Sequence, residues 1–345
     1  MFRKLPLSAI TGLTLAIGLI SCGETPSVSN TQTTENTATN TSSTTGERPL
    51  VVATTSVLCD LTKQVAAQTV DLKCLVDAGA DPHTYQPKPE DRKAIEQANL
   101  VLYGGYDFEP SIIKLVKASG NTAPKVAVHE VAVPKPLIGE EHDHEHEGEH
   151  SEEEEKHSDE KVPDPHVWHN PQNGIQMVEA IRSNLEQVSP ENAQLYATNA
   201  EKMTGEIKQV DSWIKQNIAT IPAEQRKLVT THDALGYYTQ AYNINYEGAV
   251  EGLSTEAQPT AARIAELSKE IKQENVPTIF AESTHSPKLI EQVAREANVK
   301  VSPEKLYADG LGEPGTDADT YQKMLIANTK AIVDGLGGKY TAFQN

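Results

Sequence analysis

The chain reads as an α/β protein of two similar lobes, each a parallel-type sheet flanked by helices, joined by a long rigid backbone helix. Three observations carry that expectation. Short apolar runs alternate with amphipathic stretches from Pro49 to Val131, and the same alternation returns from Lys227 to Leu336. Between them, from about Pro171 to Ile218, no strand pattern is present, and Ile175, Val178, Ile181 and Leu185 recur at helical spacing. Strands alternating with helices favour parallel sheets covered on both faces.

Taken in order, the first segment is an address rather than an element of the fold. Arg3 and Lys4 precede a short apolar stretch, Leu5 to Ile20, too short for a comfortable spanning helix, and its last two residues begin the sequence Leu19-Ile20-Ser21-Cys22. That ending resembles a bacterial lipobox, so residues 1–21 are expected to be a signal peptide and Cys22 the lipidated first residue of the mature chain. A plain signal anchor with an incidental cysteine is the alternative. Residues 22–48, mostly Thr, Asn, Ser and Glu, suit a disordered tether. The expected location is extracytoplasmic, on a membrane by lipid.

The first lobe is expected over residues 49–170. Strands are read at 50–54 (LVVAT), 71–76 (DLKCLV), 99–105 (NLVLYGG) and 125–131 (KVAVHEV), with helices at Val57–Gln68, Pro89–Ala98 and Glu109–Ala118. An acid- and histidine-rich loop interrupts at about 137–163. Residues 171–221 are the linking helix, where Ser189-Pro190 permits a kink or a short break. The second lobe, 222–345, has strands at 227–231, 244–250, 277–283 and 299–303, and helices at Ala234–Tyr242, Thr260–Glu274, Pro287–Ala297 and Ala318–Leu336.

Charge narrows the function. The net charge is −19, of which residues 140–160 contribute −11. No basic face is present, which argues against nucleic acid and anionic membrane surfaces as partners. That acidic run contains His142, His144, His146, His150 and His157 and no apolar side chain, so it cannot pack a core and offers a loose, low-affinity sponge for zinc-like cations. A tolerated solvated insertion is the bland reading. His146-Glu147-Gly148-Glu149-His150 matches the H-E-x-x-H spelling of zinc proteases, but that motif works only on a packed helix, and nothing here would bury one. Cys59 and Cys74 either form a disulfide, favoured in an oxidising compartment, or remain two buried thiols; their spacing lacks the C-x-x-C pairing of thiolate zinc sites.

Three histidines stand in loops leaving predicted strands: His83 in AGADPHTYQP, His166 in PDPHVWHNP and His232 in TTHDALGYY. Two share the sequence Asp-Pro-His, where proline stiffens the turn. Asp309, in LYADGLGEPGTDADTY, adds a carboxylate after the last strand. Each alone is more often a surface or turn residue. Their common placement at strand ends, two in each lobe, points to a ligand held in the cleft between lobes.

These segments, with FAESTHSPK, resemble in order the serial motifs of the zinc and manganese solute-binding proteins of ABC importers, the ZnuA/TroA-like group, from about residue 49 to 336. The resemblance implies one metal ion between two lobes, with His83, His166, His232 and Asp309 at the ligand positions, and a membrane permease as partner. Glu282, His169 and His285 are expected around the ligands rather than in contact with the ion. Manganese-type members carry Glu where this chain has His232. Three imidazoles favour Zn(2+), with Mn(2+) or Fe(2+) as the alternative. Three nitrogens and a carboxylate fill a tetrahedral zinc shell and leave no position for an activated water, so carriage is expected rather than catalysis. A monomer is expected. An adhesin-type surface lipoprotein is the third reading, and it has no need of the four cleft residues.

Overall fold

The computed structural model describes residues 48–141 and 160–344. The signal segment, the Cys22 lipidation position, nearly all of the tether and the histidines at 142, 144, 146, 150 and 157 lie outside these residues.

In the first lobe, strands β1 (Leu50–Ala53), β2 (Asp71–Cys74), β3 (Leu100–Tyr103) and β4 (Lys125–Ala127) form an all-parallel sheet in the order β2-β1-β3-β4. Helix α1 (Ser56–Ala66) follows β1, α2 (Pro89–Gln97) follows β2 and α3 (Pro110–Ala118) follows β3. The central strand is apolar because both its faces are covered. Val51 and Ala53 enter one core with Leu58, Leu61 and Val65 of α1, while Val52 enters another with Ile95, Ile112 and Val116. Thr55 caps α1 by accepting the Leu58 N–H. Cys59 and Cys74 are joined by a disulfide, their Cα atoms 5.7 Å apart, which ties α1 to the end of β2.

The expected fourth strand, 125–131, is shorter than its sequence suggests. After Ala127 the chain turns into the one-turn helix α4 (Val128–Ala132), and the His129 N–H reaches the Gly104 carbonyl at 2.9 Å. Burial of Val128 and His129 against the lobe outweighs the β-propensity of the valines. The acid-histidine insertion, read as a plain interruption, leaves and re-enters through an antiparallel ribbon, β5 (Ile138–Glu141) against β6 (Glu160–Pro163).

The stretch expected to be one linking helix is two helices. The residue before Pro190 is driven out of the helical region, with Ser189 at φ −146° and ψ 68°, so α5 (Pro171–Val188) ends there. After a short 3₁₀ turn, α6 (Ala193–Ile218) runs back along α5, since Gln172 at the start of α5 donates to Asp211 near the end of α6 at 3.0 Å. The 26-residue α6 is about 39 Å long at 1.5 Å per residue. It is the backbone helix. Near its start Asn199 donates to the Val65 carbonyl of the first lobe at 2.9 Å. Near its end Trp213 donates to the Thr341 carbonyl and Asp211 accepts from Tyr242 of the second lobe, at 2.8 and 2.9 Å.

The second lobe repeats the plan. β7 (Lys227–His232), α7 (Gly236–Tyr242), β8 (Asn245–Glu251), α8 (Ala261–Glu274), β9 (Thr278–Ile279), α9 (Lys288–Ala297), β10 (Lys300–Val301) and α10 (Tyr321–Gly335) follow in sequence. β7 pairs parallel with β8, and β9 with β10. The Phe280 N–H donates to Val229 at 3.0 Å and links the two pairs, so the order β8-β7-β9-β10 mirrors that of the first lobe. One core runs from Val51 and Leu58 through Ile181, Met203 and Ile214 to Phe280, Leu325 and Leu336, binding both lobes to the helical pair. Among the described residues no helix is long and apolar enough to cross a membrane.

Candidate metal centre

The two Asp-Pro-His segments build the same turn. In each, the aspartate side chain accepts the N–H of the histidine two residues on, Asp81 from His83 and Asp164 from His166, both at 2.9 Å. An Asx turn locked by the intervening proline sets the direction of each imidazole. His232 is the last residue of β7, and Asp309 lies in the loop after β10. That loop is tied to the first lobe, where the Leu311 N–H donates to the Ser56 hydroxyl at 3.0 Å.

The four side chains meet in one place, buried from solvent, with one donor atom from each inside a span of 4.8 Å. Asp309 Oδ1 lies 3.5 Å from His83 Nε2, 3.6 Å from His166 Nε2 and 3.0 Å from His232 Nε2. His83 and His166 approach Nε2 to Nε2 at 3.4 Å. Phe108 packs edge-on against the His83 and His166 rings and Trp168 lies over His166, so the wall behind the cluster is apolar.

The far ring nitrogens show which atoms are free. His166 Nδ1 is 2.9 Å from Asp164 Oδ1, and His232 Nδ1 is hydrogen-bonded to Glu282 Oε2. Glu282, fully buried, also accepts the Thr231 and His232 N–H groups through Oε1, at 3.0 Å each. Donation from Nδ1 fixes the tautomer, so a neutral ring turns its Nε2 lone pair inward. His232 Nε2 and Asp309 Oδ1 lie close without the alignment of a hydrogen bond and have no partner among the described residues. Acceptors facing one another in a buried space repel unless a cation or a proton stands between them. The donor set fits a metal ion.

Titration follows from the same packing. Burial lowers the pKa of His83. For His232 burial also pulls down, but the charges of Asp309 and Glu282 outweigh it and raise the pKa well above the ordinary histidine value. His166 is raised too, its hydrogen bond to Asp164 and the nearby Asp309 carboxylate outweighing burial. Burial alone would raise Asp309, yet the adjacent histidines hold its carboxyl well below the carboxylate range. The same carboxylates that would attract an ion therefore favour the protonated form of His166 and His232.

The residues expected around the ligands divide by role. His169 is buried and donates from Nε2 to the Ala308 carbonyl at 2.7 Å, fixing the loop that carries Asp309. Glu282 holds the His232 ring. His285 stacks on His232 with ring centres 5.1 Å apart, its Nδ1 2.8 Å from the Thr284 hydroxyl, which itself donates to Asp309 Oδ2 at 2.8 Å. Asp164 and Thr284 were not singled out from sequence. The repeated Asp-Pro-His was the available signal for Asp164, since an aspartate two residues before a fixed histidine can accept its N–H; nothing local marks Thr284.

Comparison with known proteins identifies the family. Residues 51–335 match the family of the periplasmic zinc-uptake complex component A, ZnuA. The manganese ABC transporter substrate-binding lipoprotein PsaA of Streptococcus mitis is 30% identical over 297 residues, 84% of this chain and 90% of the relative. The periplasmic zinc-binding protein TroA of Treponema pallidum superimposes with a TM-score of 0.74 at 29% identity, covering 84% of this chain and 99% of TroA. A manganese-bound periplasmic metal-binding protein of Candidatus Liberibacter asiaticus does so at 0.69 and 26% identity, over 84% and 100% of the two chains. The chain belongs to the ZnuA/TroA family of metal-binding solute-binding proteins of ABC importers. It is a binding protein rather than an enzyme, an extracytoplasmic component that serves a membrane permease.

Proposed function

We propose that the protein captures Zn(2+) as cargo at His83, His166, His232 and Asp309 and delivers it to its permease from a lipid anchor at Cys22. The observation that carries the metal is the donor set. Three borderline imidazole nitrogens and one carboxylate oxygen match tetrahedral zinc, whereas manganese is better served by more oxygen ligands. The manganese description of the streptococcal relative favours Mn(2+) as the second reading. Ligands from both lobes tie the lobes together around the ion, and the core shared through α6 restricts the accompanying motion to a small tilt or a loop rearrangement.

The test is competitive loading. The chain from Gly23 onward is dialysed against equal buffered free zinc and manganese, and bound metal is counted by mass spectrometry beside the His232→Ala variant. One zinc per chain, absent from the variant, is the expected result. Manganese at that position keeps the carrier and overturns zinc. No tight metal in either protein removes the four-ligand site altogether.

A further inference from the structure

We propose that the ion enters and leaves the buried donor set past His83, through a vestibule between the lobes that collects hydrated divalent cations. The inference rests on the metal-binding reading above. Of the four ligand side chains, His83 is the only one with exposed surface, 2% against 0% for the other three. It lines a cavity of about 390 Å³ walled by Tyr106 and Pro163 from the first lobe and Leu253 and Ser254 from the second. The same wall bears Asp107, Glu130 and Glu256 against one cation, Lys117. Glu130 is held in place by the Tyr106 N–H at 3.0 Å. A cleft with an excess of one charge sign and low-dielectric sides concentrates counter-ions at its mouth.

A second, independent observation concerns how the ligands are held. His166 and His232 each have a carboxylate on Nδ1, and Asp309 receives the Thr284 hydroxyl on its outer oxygen. Among the described residues none engages His83 Nδ1. The His83 backbone is fixed through Asp81, but its ring can turn about its own side-chain bonds without breaking a charge-assisted hydrogen bond. It is also the ring that borders the cavity. Turning it outward opens one face of the cluster, so that an incoming ion exchanges water for Asp309, His166 and His232 in turn while these stay in place. Release reverses the order.

Stopped-flow association of Zn(2+), and its release to an excess of chelator, test this in the whole chain. Ser254→Trp narrows the vestibule without touching a ligand. It is expected to slow association and release by a common factor of at least about tenfold, as a gate does, and to leave the dissociation constant within about threefold of the parent. Glu256→Lys is expected to slow association severalfold at low ionic strength, the difference closing as salt screens the vestibule. Parent rates in Ser254→Trp, or a change confined to release, overturn the route. If that variant fails to fold, a Glu256→Lys association rate equal to the parent's at low salt does the same. A parent protein that takes up no zinc overturns the metal-binding reading itself, before any rates are compared.

Discussion

The two Asp-Pro-His turns share their sequence and their local hydrogen bond, yet they hold their imidazoles differently. At His166 the aspartate accepts both the backbone N–H and the ring Nδ1. At His83 it accepts only the backbone N–H, while its second oxygen takes the hydroxyls of Thr84 and Thr255, at 3.1 and 2.7 Å. The second of these threonines belongs to the other lobe. The local motif therefore fixes where each histidine leaves the backbone, and tertiary neighbours decide whether its ring is locked. One turn is a rigid wall of the site and the other a hinged one.

Removing each histidine exposes the difference most strongly. His166→Ala takes away a ligand that is fully buried, and no solvent stands ready to replace it. It is expected to weaken zinc binding by more than the roughly 100-fold that marks the upper range for losing an outer-shell partner. His83→Ala opens its position to the vestibule, where water can complete the shell, and should cost less. Equal losses, measured by competition with a chelator of known affinity, would remove the asymmetry.

The disulfide bears most directly on the His83 side, because Cys74 ends the strand from which that loop departs. Its 15-residue separation corresponds to about 3 kcal/mol of stabilisation in the chain-entropy account. Reduction is expected to lower the melting temperature and to speed amide exchange in residues 75–88, leaving residues 164–170 unchanged. Uniform loosening of both turns would show that the bond stabilises the lobe and not the loop.

Asparagine at either aspartate is a finer probe, since its carbonyl still accepts the backbone N–H. Asp164→Asn weakens the Nδ1 bond specifically and is expected to reduce zinc affinity by about 10- to 100-fold. Asp81→Asn leaves the His83 ring as it was and should change affinity by no more than a few fold. The reverse ranking in isothermal titration would mean that Asp81 acts on the ion more directly than its geometry implies.

Much of this was legible beforehand because it is written in short-range pattern. The period of apolar residues gives the strands and helices of both lobes, and the placement of His83, His166, His232 and Asp309 after strands gives the convergence. What was not legible depends on long-range packing. Nothing local to 125–131 reveals that Val128 and His129 are buried as a helical turn under Gly104. The proline at 190 announces a break, but the reversal of α6 along α5 is decided by the apolar stripe shared by Met177, Ile181, Met203 and Ile207. Likewise Asp164 and Asp81 share the Asp-Pro-His motif, and the hydroxyls of Thr84 and Thr255 on Asp81 separate them.

The smallest effect expected is in protons, and it follows from the same asymmetry. Burial lowers the pKa of His83 and so favours its neutral form. His166 and His232 have raised values, their carboxylate neighbours outweighing burial. For these two, the stability gained by holding a proton in the metal-free fold is fully present below the ordinary histidine pKa of about 6.5 and lost as pH rises through the raised folded value. Zinc must displace what remains of that proton, so affinity should fall as pH drops from the raised value downward, beginning above the usual histidine range. Titrations near neutral pH in buffers of different ionisation enthalpy should show release of up to about one proton per zinc. His166→Gln is expected to reduce that count and His83→Gln to leave it unchanged. A binding enthalpy independent of buffer would mean that the metal-free cluster carries no proton, and the two turns would then be electrostatically alike.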